Sequence, residues 1–286
     1  MKKAKIKVPA KINLTLDILG IDDKGYHILN SLVSSIDLYD TIIIKARKDD
    51  KITLKEKGIK SGCAIEKNNA YKTAKRYAEK YATGGVDITI KKSIPVGGGF
   101  GGSSADISGV LKGLNIINTK DNDLFGLASE LGSDVSFMLT GGLAVIEGKG
   151  DTVQPIAKNL DFYMIIVTEE QSVSAKQSYL QFDKDGVNYK PYTALSLNKL
   201  ESGDINGFLE VIKNDLQPAS IKILSKIEDN IKTLYQVGAS KAMMTGSGSA
   251  TFGIFESKKE RDLAYKKLPK EIRKKAIKVK TICQNS

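Results

Sequence analysis

Residues 95–106 read PVGGGFGGSSAD, and this glycine-rich stretch decides how the rest of the chain is interpreted. Residues 86–96 alternate apolar and polar side chains as a β-strand does, and apolar residues recur at helical spacing over residues 107–114. A strand, a run of glycines and a helix N-terminus form an anion site, because glycine lets the backbone approach oxygens and free amides favour negative charge. The stretch therefore predicts a phosphate-binding loop.

Several loop classes compete for this stretch. A Walker loop is excluded, because Ser103 and Ser104 follow the last glycine where Lys-Ser or Lys-Thr is required. Gly97, Gly99 and Gly102 match the G-x-G-x-x-G of dinucleotide-binding domains, but the following residues supply no strand ending in a ribose-binding acid. A non-Walker kinase loop and a plain packing turn remain. Five glycines in six residues before a helix favour the kinase loop.

The composition excludes several classes of protein. The chain has 286 residues, 41% of them hydrophobic and 27% charged, which is typical of a globular protein with one large or two ordinary domains. One histidine, His27, and two distant cysteines, Cys63 and Cys283, exclude a zinc site built from several His or Cys residues. The absence of a long apolar run and of a signal-like start predicts a cytoplasmic protein with no membrane partner.

The net charge of +11 is concentrated near the end of the chain. Residues 257–280 hold eleven basic and three acidic residues, and the rest of the chain is close to balance. No aromatic residues are interleaved in a recognition pattern, so a solvated surface is favoured over a nucleic-acid face. We therefore expect no nucleic-acid partner, with a basic RNA-binding module kept as an alternative.

The spacing of apolar residues predicts the remaining elements. Strands are expected at 6–19, 41–46, 51–55, 143–147 and 162–168, with a strand–turn–strand over 242–255. Helices are expected over 70–82 with Asn69 as N-cap, from Ser103 with Asp106 in a capping box, near 123–131 ending at Gly132, after Ser133 or Asp134, and near 196–213 and 220–236, before a last helix and strand. A domain boundary is expected at 150–160.

Three segments of the chain form a pattern: Pro9-Ala10-Lys11-Ile12-Asn13-Leu14, the glycine stretch 95–106, and Met244-Thr245-Gly246-Ser247-Gly248-Ser249. They resemble the small-molecule kinases named for galactokinase, homoserine kinase, mevalonate kinase and phosphomevalonate kinase (GHMP kinases). The segments occur in the order typical of that family and are spread over nearly the whole chain. Gly25-Tyr26-His27 and Gly132-Ser133-Asp134-Val135-Ser136-Phe137 look most like the branch whose substrate is a cytidine diphosphate conjugate.

The resemblance implies an α+β two-domain GHMP-kinase-like fold. Residues 1–155 would form an N-terminal α/β domain with the glycine-rich phosphate loop, and residues 156–286 a C-terminal α/β sandwich-like domain, with the active site between them. The implied reaction is phosphorylation, by ATP with Mg²⁺, of the 2-hydroxyl of the methylerythritol part of the conjugate. This reaction is a step of non-mevalonate isoprenoid synthesis. A monomer or homodimer is expected.

The resemblance also implies residue roles. Lys11 matches the catalytic lysine and Asp134 the acid that accepts the hydroxyl proton; on the residues alone, a solvent-facing strand lysine and a plain N-cap are the alternatives. The implied ATP-binding residues are Asn69, Pro95, Gly97, Gly98, Gly99, Gly101, Gly102, Ser103 and Ser104. The implied substrate-binding residues are Asn13, Tyr26, His27, Tyr179, Gly246 and Ser247. No acidic cluster indicates the metal ligands.

The chain departs from the family pattern at Phe100, Ser103, Ser133, Ser136 and Ala175. These departures bear on substrate geometry and leave Lys11, Asp134 and His27 in place. Two further alternatives follow: another kinase of the family acting on homoserine or a mevalonate-like alcohol, and a dinucleotide-dependent oxidoreductase.

Overall fold

The computed structural model describes residues 2–119, 122–186 and 190–283. Its strands are β1 (Lys3–Asn13), β2 (Asp17–Ile21), β3 (His27–Ala46), β4 (Ile52–Gly58), β5 (Val86–Lys92), β6 (Leu143–Gly148), β7 (Thr152–Pro155), β8 (Tyr163–Val167), β9 (Lys241–Met244), β10 (Thr251–Phe255) and β11 (Ala276–Lys280). Its helices are α1 (Asn69–Tyr81), α2 (Gly102–Asn118), α3 (Leu124–Leu131), α4 (Val135–Thr140), α5 (Ala175–Asp185), α6 (Tyr192–Glu201), α7 (Ile205–Val211), α8 (Leu216–Ile223), α9 (Lys226–Gln236), α10 (Lys258–Lys267) and α11 (Lys270–Lys274).

The chain forms two compact units that interleave along the sequence. The first unit comprises Met1–Ala10, Leu38–Val96 and Gly101–Gly141, and the second comprises Lys11–Asp37, Gly97–Phe100 and Gly142–Ser286. Strands β1 and β3 therefore contribute residues to both units. The division into sequence domains at 155/156 stays a prediction.

The first unit packs helices on a mixed sheet. Residues 41–46 of β3 pair antiparallel with β5, which pairs in parallel with β4. Helices α1 and α2 pack against each other, and α2 also contacts α3 and α4. Ile42, Ile44, Ile88, Ile90 and Leu111 are buried in this unit. This apolar packing fixes α2, whose first turn follows the glycine stretch.

The second unit contains two groups of strands. Residues 27–34 of β3 pair antiparallel with β2 and β6, and β6 pairs with β7. A separate four-stranded antiparallel sheet has the order β11-β8-β10-β9. Helices α8, α9 and α10 contribute Leu216, Ile227, Leu234 and Ala264 to a buried cluster with residues of this sheet.

The predicted single strand over 6–19 is wrong. The amides of Leu14 and Thr15 both donate to the carbonyl of Leu32, at 2.8 and 3.2 Å, and this irregularity separates β1 from β2. Every residue from Ala10 to Ile18 is buried, so alternation there does not mark one buried and one exposed face. The strand expected at 41–46 is the end of a 20-residue strand, β3, and its first part was not predicted.

The two long predicted helices each divide in two. Residues 196–213 fall in α6 and α7, which are separated at Gly203, a residue with φ of +76°. Residues 220–236 fall in α8 and α9, and Leu224 between them adopts extended backbone. The predicted helix 70–82 is observed as α1, but its N-cap is Asn68, whose side chain accepts from the amide of Ala70 at 2.9 Å. Asn69 is instead the first residue of the helix.

Other predicted elements are confirmed with small shifts in their ends. These include α3 ending before Gly132, the strands β6 and β8, the pair β9 and β10 joined by a turn, and the closing helices and strand. The strand predicted over 86–96 ends at Lys92, because the carboxylate of Asp40 accepts the amides of Ser93 and Ile94 at 2.6 and 2.9 Å.

Buried Asp17 gives the second unit a pH-dependent stability. Its Oδ2 accepts the amide of Thr193 at 2.8 Å, while its Oδ1 has no hydrogen-bond partner. Burial raises the pKa of Asp17 from 3.8 to about 6, against the lowering effect of the hydrogen bonds from Thr193. The native state therefore holds a proton that the unfolded state releases between those two pKa values.

We expect the free energy of unfolding to fall by roughly 3 kcal/mol through this group as the pH rises from about 4 to about 7. Asp17→Asn removes the titrating group, so its stability should lose that component of the pH slope. Denaturant unfolding of both proteins across the pH range measures the difference. Equal slopes in the two proteins would show that Asp17 keeps an ordinary pKa.

Candidate active site

The glycine stretch forms a loop between β5 and α2. Gly97, Gly99 and Gly101 have φ of +76°, +79° and +69°, a left-handed conformation that favours glycine. Gly101 is the N-cap of α2, and no side chain caps this helix. The predicted capping box of Ser103 and Asp106 is therefore wrong. The first turn of α2 lies half-buried to exposed, so its amides lie at an accessible end of a 17-residue helix, where the backbone favours anions.

Two of the predicted nucleotide residues contact each other in the first unit. The side-chain amide of Asn69 donates to Oγ of Ser103 at 2.8 Å. Because Asn68 caps α1, the side chain of Asn69 is available for this contact instead of a capping bond. Ser104 is half-buried in the first turn of α2, and Pro95 is half-buried ahead of the loop.

The turn after β9 packs against the loop within the second unit. A Cβ on Gly99 would lie 2.6 Å from the carbonyl oxygen of Thr245, and a Cβ on Gly246 would lie 3.3 Å from Cα of Gly99. Asn214 holds this turn by donating to the carbonyls of Met244 and Gly246, at 3.1 and 2.8 Å. The turn is therefore a fixed support for the loop as well as a hairpin connection.

Lys11 lies in a buried polar network of the second unit. The residue is only 5% exposed, so the alternative of a solvent-facing strand lysine is wrong. Its Nζ donates to Oδ1 of Asn13 at 2.7 Å, and its backbone amide donates to the carbonyl of Phe100 at 3.0 Å. The Asn13 amide group donates to Ser31 at 2.8 Å, and the Asn13 backbone amide donates to Oγ1 of Thr245 at 2.9 Å. The network gives the ammonium group a fixed position.

Asp134 precedes α4 in the first unit. It occupies the N-cap position, but its side chain makes no capping hydrogen bond to the helix. The prediction that Asp134 or Ser133 caps this helix through its side chain is therefore wrong. The carboxylate is half-buried and interacts with other groups of the protein.

Three predicted substrate residues lie near the start of β3. The ring of His27 stacks on Tyr179, with centroids 4.5 Å apart and an interplanar angle of 23°, and its Nε2 lies 2.8 Å from Oδ1 of Asp183. Tyr26 is 59% exposed, and Nζ of Lys149 lies 4.3 Å from its ring centroid. The structure thus stacks the imidazole of His27 on the ring of Tyr179, and the neighbouring residue Tyr26 has the ammonium group of Lys149 over its ring.

The loop that carries Tyr26 is held by one carboxylate. Asp22 accepts the backbone amides of Lys24 and Tyr26 at 2.9 and 2.8 Å, and Lys149 pairs with it at 2.8 Å. The hydrogen bond from Lys149, together with the amide bonds, holds the pKa of Asp22 down at about 2. This carboxylate therefore stays ionised at neutral pH and keeps its hydrogen bonds to the loop.

Sequence reasoning missed the residues that support the predicted ones. Asp183 follows Tyr179 by four positions on α5, so helical spacing was an available signal for their shared face. Thr245 lies in the third family segment, but no role was predicted for it. Ser31 and Asn214 carried no local signal, because their contacts with the site join distant parts of the chain.

Two kinds of feature are absent from the described residues. No helix in residues 2–119, 122–186 and 190–283 is long and apolar enough to cross a membrane. In the same ranges, no three or more His, Cys, Asp and Glu side chains form a group that could hold a metal ion.

Family models match both halves of the chain. The model of the GHMP kinases N terminal domain matches residues 68–144, and that of the GHMP kinases C terminal region matches residues 196–274. Together they span more than half of the chain, which therefore belongs to the GHMP kinase family. This confirms the predicted fold class and an ATP-dependent small-molecule kinase, and it overturns the oxidoreductase alternative.

Individual relatives show to which group within the family the chain belongs. The 4-diphosphocytidyl-2-C-methyl-D-erythritol kinase of Clostridium botulinum is 35% identical over 276 residues, covering 92% of this chain and 95% of that protein. The kinase of the same name from Caldicellulosiruptor saccharolyticus is 34% identical over 289 residues, covering 98% and 97%. A solved structure of 4-(cytidine 5'-diphospho)-2C-methyl-D-erythritol kinase has a TM-score of 0.82 at 26% identity, covering 97% of this chain and 99% of that one. Within the GHMP kinases, the chain belongs with the 4-diphosphocytidyl-2-C-methyl-D-erythritol kinases.

Proposed function

We propose that this kinase transfers the γ-phosphoryl group of ATP to the 2-hydroxyl of 4-diphosphocytidyl-2-C-methyl-D-erythritol, a step of non-mevalonate isoprenoid synthesis. The named relatives support the substrate. The observation that carries the chemistry is the buried Lys11, held by Asn13 on the strand whose backbone bonds to the glycine loop at Phe100. A desolvated, fixed cation beside a phosphate loop is what phosphoryl transfer requires.

In this proposal the loop holds the nucleotide. The amides of the glycine run and of the first turn of α2 receive the phosphate oxygens, and the contact between Asn69 and Ser103 supports a role for both side chains in binding the nucleotide. The proposed ATP-binding residues are Asn69, Pro95, Gly97, Gly98, Gly99, Gly101, Gly102, Ser103 and Ser104.

Lys11 and Asp134 would carry the transfer itself. Asp134 accepts the proton of the 2-hydroxyl while the oxygen of that hydroxyl bonds to the γ-phosphorus of ATP. The bond from that phosphorus to the bridging oxygen of ADP breaks. The ammonium group of Lys11 stabilises the charge on the transferring phosphoryl oxygens. Products are ADP and the phosphate monoester, with the proton left on Asp134 for release to water.

In this proposal a Mg²⁺ ion would enter with ATP. Such an ion binds phosphate oxygens and water and needs only one or two protein oxygens, so a dedicated acidic cluster is not required. The hydroxyl of Ser104 in the first turn of α2 is the oxygen donor we assign to it. When bound, the ion neutralises phosphate charge.

The aromatic group at the start of β3 would bind the cytosine of the conjugate. A pyrimidine offers a π face to Tyr26 or Tyr179, and the ring of His27 supplies hydrogen-bonding nitrogen. Asn13, Gly246 and Ser247 complete the proposed substrate-binding set. We further propose that the enzyme acts in the cytoplasm, as a monomer or homodimer, on small molecules and not on nucleic acid or a membrane surface.

Removing the ring of Tyr179 should weaken binding of the conjugate selectively. We expect Tyr179→Ala to raise the KM for the conjugate about 10- to 100-fold, since one base–aromatic stack is worth ~1–3 kcal/mol. The KM for ATP should stay unchanged, and Tyr179→Phe should retain near-normal values. Steady-state ADP release with each substrate varied in turn measures both constants. Equal losses for ATP and conjugate would place Tyr179 outside the base site.

The proposed substrate is tested by an acceptor panel. ADP release should require the cytidine conjugate and should fail with methylerythritol phosphate, homoserine or mevalonate at equal concentration. Turnover of homoserine or mevalonate with no turnover of the conjugate would favour the other branch of the family.

A further inference from the structure

A buried cluster of three charged side chains lies at the base of the glycine loop in the first unit. Nζ of Lys92 lies 2.6 Å from Oδ2 of Asp40 and 2.7 Å from Oδ2 of Asp106. All three residues are at least 94% buried. We call Lys92, Asp40 and Asp106 the buried triad.

The buried triad joins the two chain segments that flank the loop. Asp40, on β3, accepts the amides of Ser93 and Ile94 through its second oxygen, so it fixes the segment that leads into the loop. Asp106 lies in α2, so its bond to Lys92 fixes the helix that leaves the loop. Lys92 itself lies at the end of β5, and its Nζ is 3.5 Å from the carbonyl oxygen of Gly102, the first residue of that helix.

The triad fixes the positions of backbone groups more than it contributes to stability. Burying ions costs desolvation energy that their mutual attraction seldom exceeds, so such a cluster is weak evidence for a stabilising role. Here two carboxylates share one ammonium group, and Oδ1 of Asp106 is buried without a partner. Burial raises the pKa of Asp106 to about 7, although Lys92 acts in the opposite direction. An apolar trio would avoid these costs but would not specify the positions of the backbone groups that the triad holds.

We propose that Lys92, Asp40 and Asp106 are positioning residues for the nucleotide. By joining the end of β5 to the start of α2, the triad holds the amides of Gly102 and the following turn in the arrangement that receives phosphate oxygens. Loss of the triad therefore weakens nucleotide binding without touching the alcohol substrate. This inference rests on the proposed assignment of the glycine loop to ATP.

Substitutions of Asp106 provide the matched pair of variants. Asp106→Asn keeps the shape and an oxygen that accepts from Lys92, so its dissociation constant for Mg·ADP should stay within about threefold of wild type. Asp106→Leu keeps the size and the helix propensity but removes the acceptor, so we expect at least a tenfold weaker Mg·ADP affinity. Lys92→Met should behave like Asp106→Leu.

Calorimetric titration of the full chain with Mg·ADP measures these constants, and thermal melting reports folding. Tyr77→Phe is the control for destabilisation alone, because it removes a hydroxyl bonded by Asn122 in the same unit, on α1, which carries none of the triad residues. It should lower the melting temperature and leave the dissociation constant unchanged. In turnover assays Asp106→Leu and Lys92→Met should raise the KM for ATP and leave the KM for the alcohol unchanged.

The triad role is overturned if Asp106→Asn and Asp106→Leu bind Mg·ADP equally well, and this pair decides the matter even if Lys92→Met does not fold. A separate failure would concern the loop. If Gly99→Ala leaves the affinity for Mg·ADP unchanged, the assignment of this loop to the nucleotide fails and the triad role fails with it, whereas weaker binding by Gly99→Ala together with equal binding by the two Asp106 variants overturns the triad role alone.

Discussion

Lys11→Met is expected to lower kcat by about 10³-fold, because removing one fixed charge that faces the transition state costs that order of rate. The substitution keeps the length and apolar body of the side chain, so the buried network around Asn13 should lose one hydrogen bond and keep its packing. Substrate binding should change much less than kcat. Steady-state ADP release, with folding checked by circular dichroism, measures the effect.

Lys5→Met is the matched control for this loss. Lys5 lies on the same strand, β1, and is exposed, so its substitution should leave kcat unchanged. Asp134→Asn should show a loss comparable to that of Lys11→Met, since a general base contributes about 10²–10⁴-fold. Asp123→Asn is its control: Asp123 caps α3 and should affect stability only. Near-normal kcat in Lys11→Met would remove Lys11 from the mechanism.

Gly99→Ala should be the most damaging single change in the loop. The new Cβ would lie 2.6 Å from the carbonyl oxygen of Thr245, a distance that forces the backbone to move, and the residue has φ of +79°. We expect kcat/KM for ATP to fall at least 100-fold, because displacement by about an ångström has cost that order elsewhere.

A second glycine, Gly203, is the control that distinguishes the effect of backbone strain from the effect of a steric clash. Gly203 has φ of +76°, and nothing lies within 4 Å of its Cβ position. Gly203→Ala should therefore cost only the conformational strain of a left-handed residue, about 1–3 kcal/mol of stability, with kinetics unchanged. Equal kinetics in the two variants would show that the contact between Gly99 and Thr245 has no functional role.

The loop was predictable because its signal is local. A run of glycines between a strand pattern and a helix pattern is visible in twelve consecutive residues, and the structure places Gly97, Gly99 and Gly101 in the left-handed region, where glycine is needed. The family segments likewise located Lys11 and Asp134 along the chain.

The burial and partners of those residues were not predictable from local patterns. Lys11 appeared to occupy a polar face because its neighbours alternate, yet residues from Ala10 to Ile18 are buried on every side. Its partner Asn13 donates its backbone amide to Oγ1 of Thr245, more than two hundred positions away. The break between α6 and α7 was missed for a different reason. Gly203 is a local signal for a helix end, but the apolar spacing continued across it, so one helix was predicted.

The central claim is that Lys11 and Asp134 act on one phosphoryl-transfer step, and the double variant Lys11→Met/Asp134→Asn tests it. Residues that act as a unit show strongly non-additive losses. We predict that kcat for transfer to 4-diphosphocytidyl-2-C-methyl-D-erythritol in the double variant is close to that of the slower single variant. A loss equal to the product of the two single losses would contradict the account.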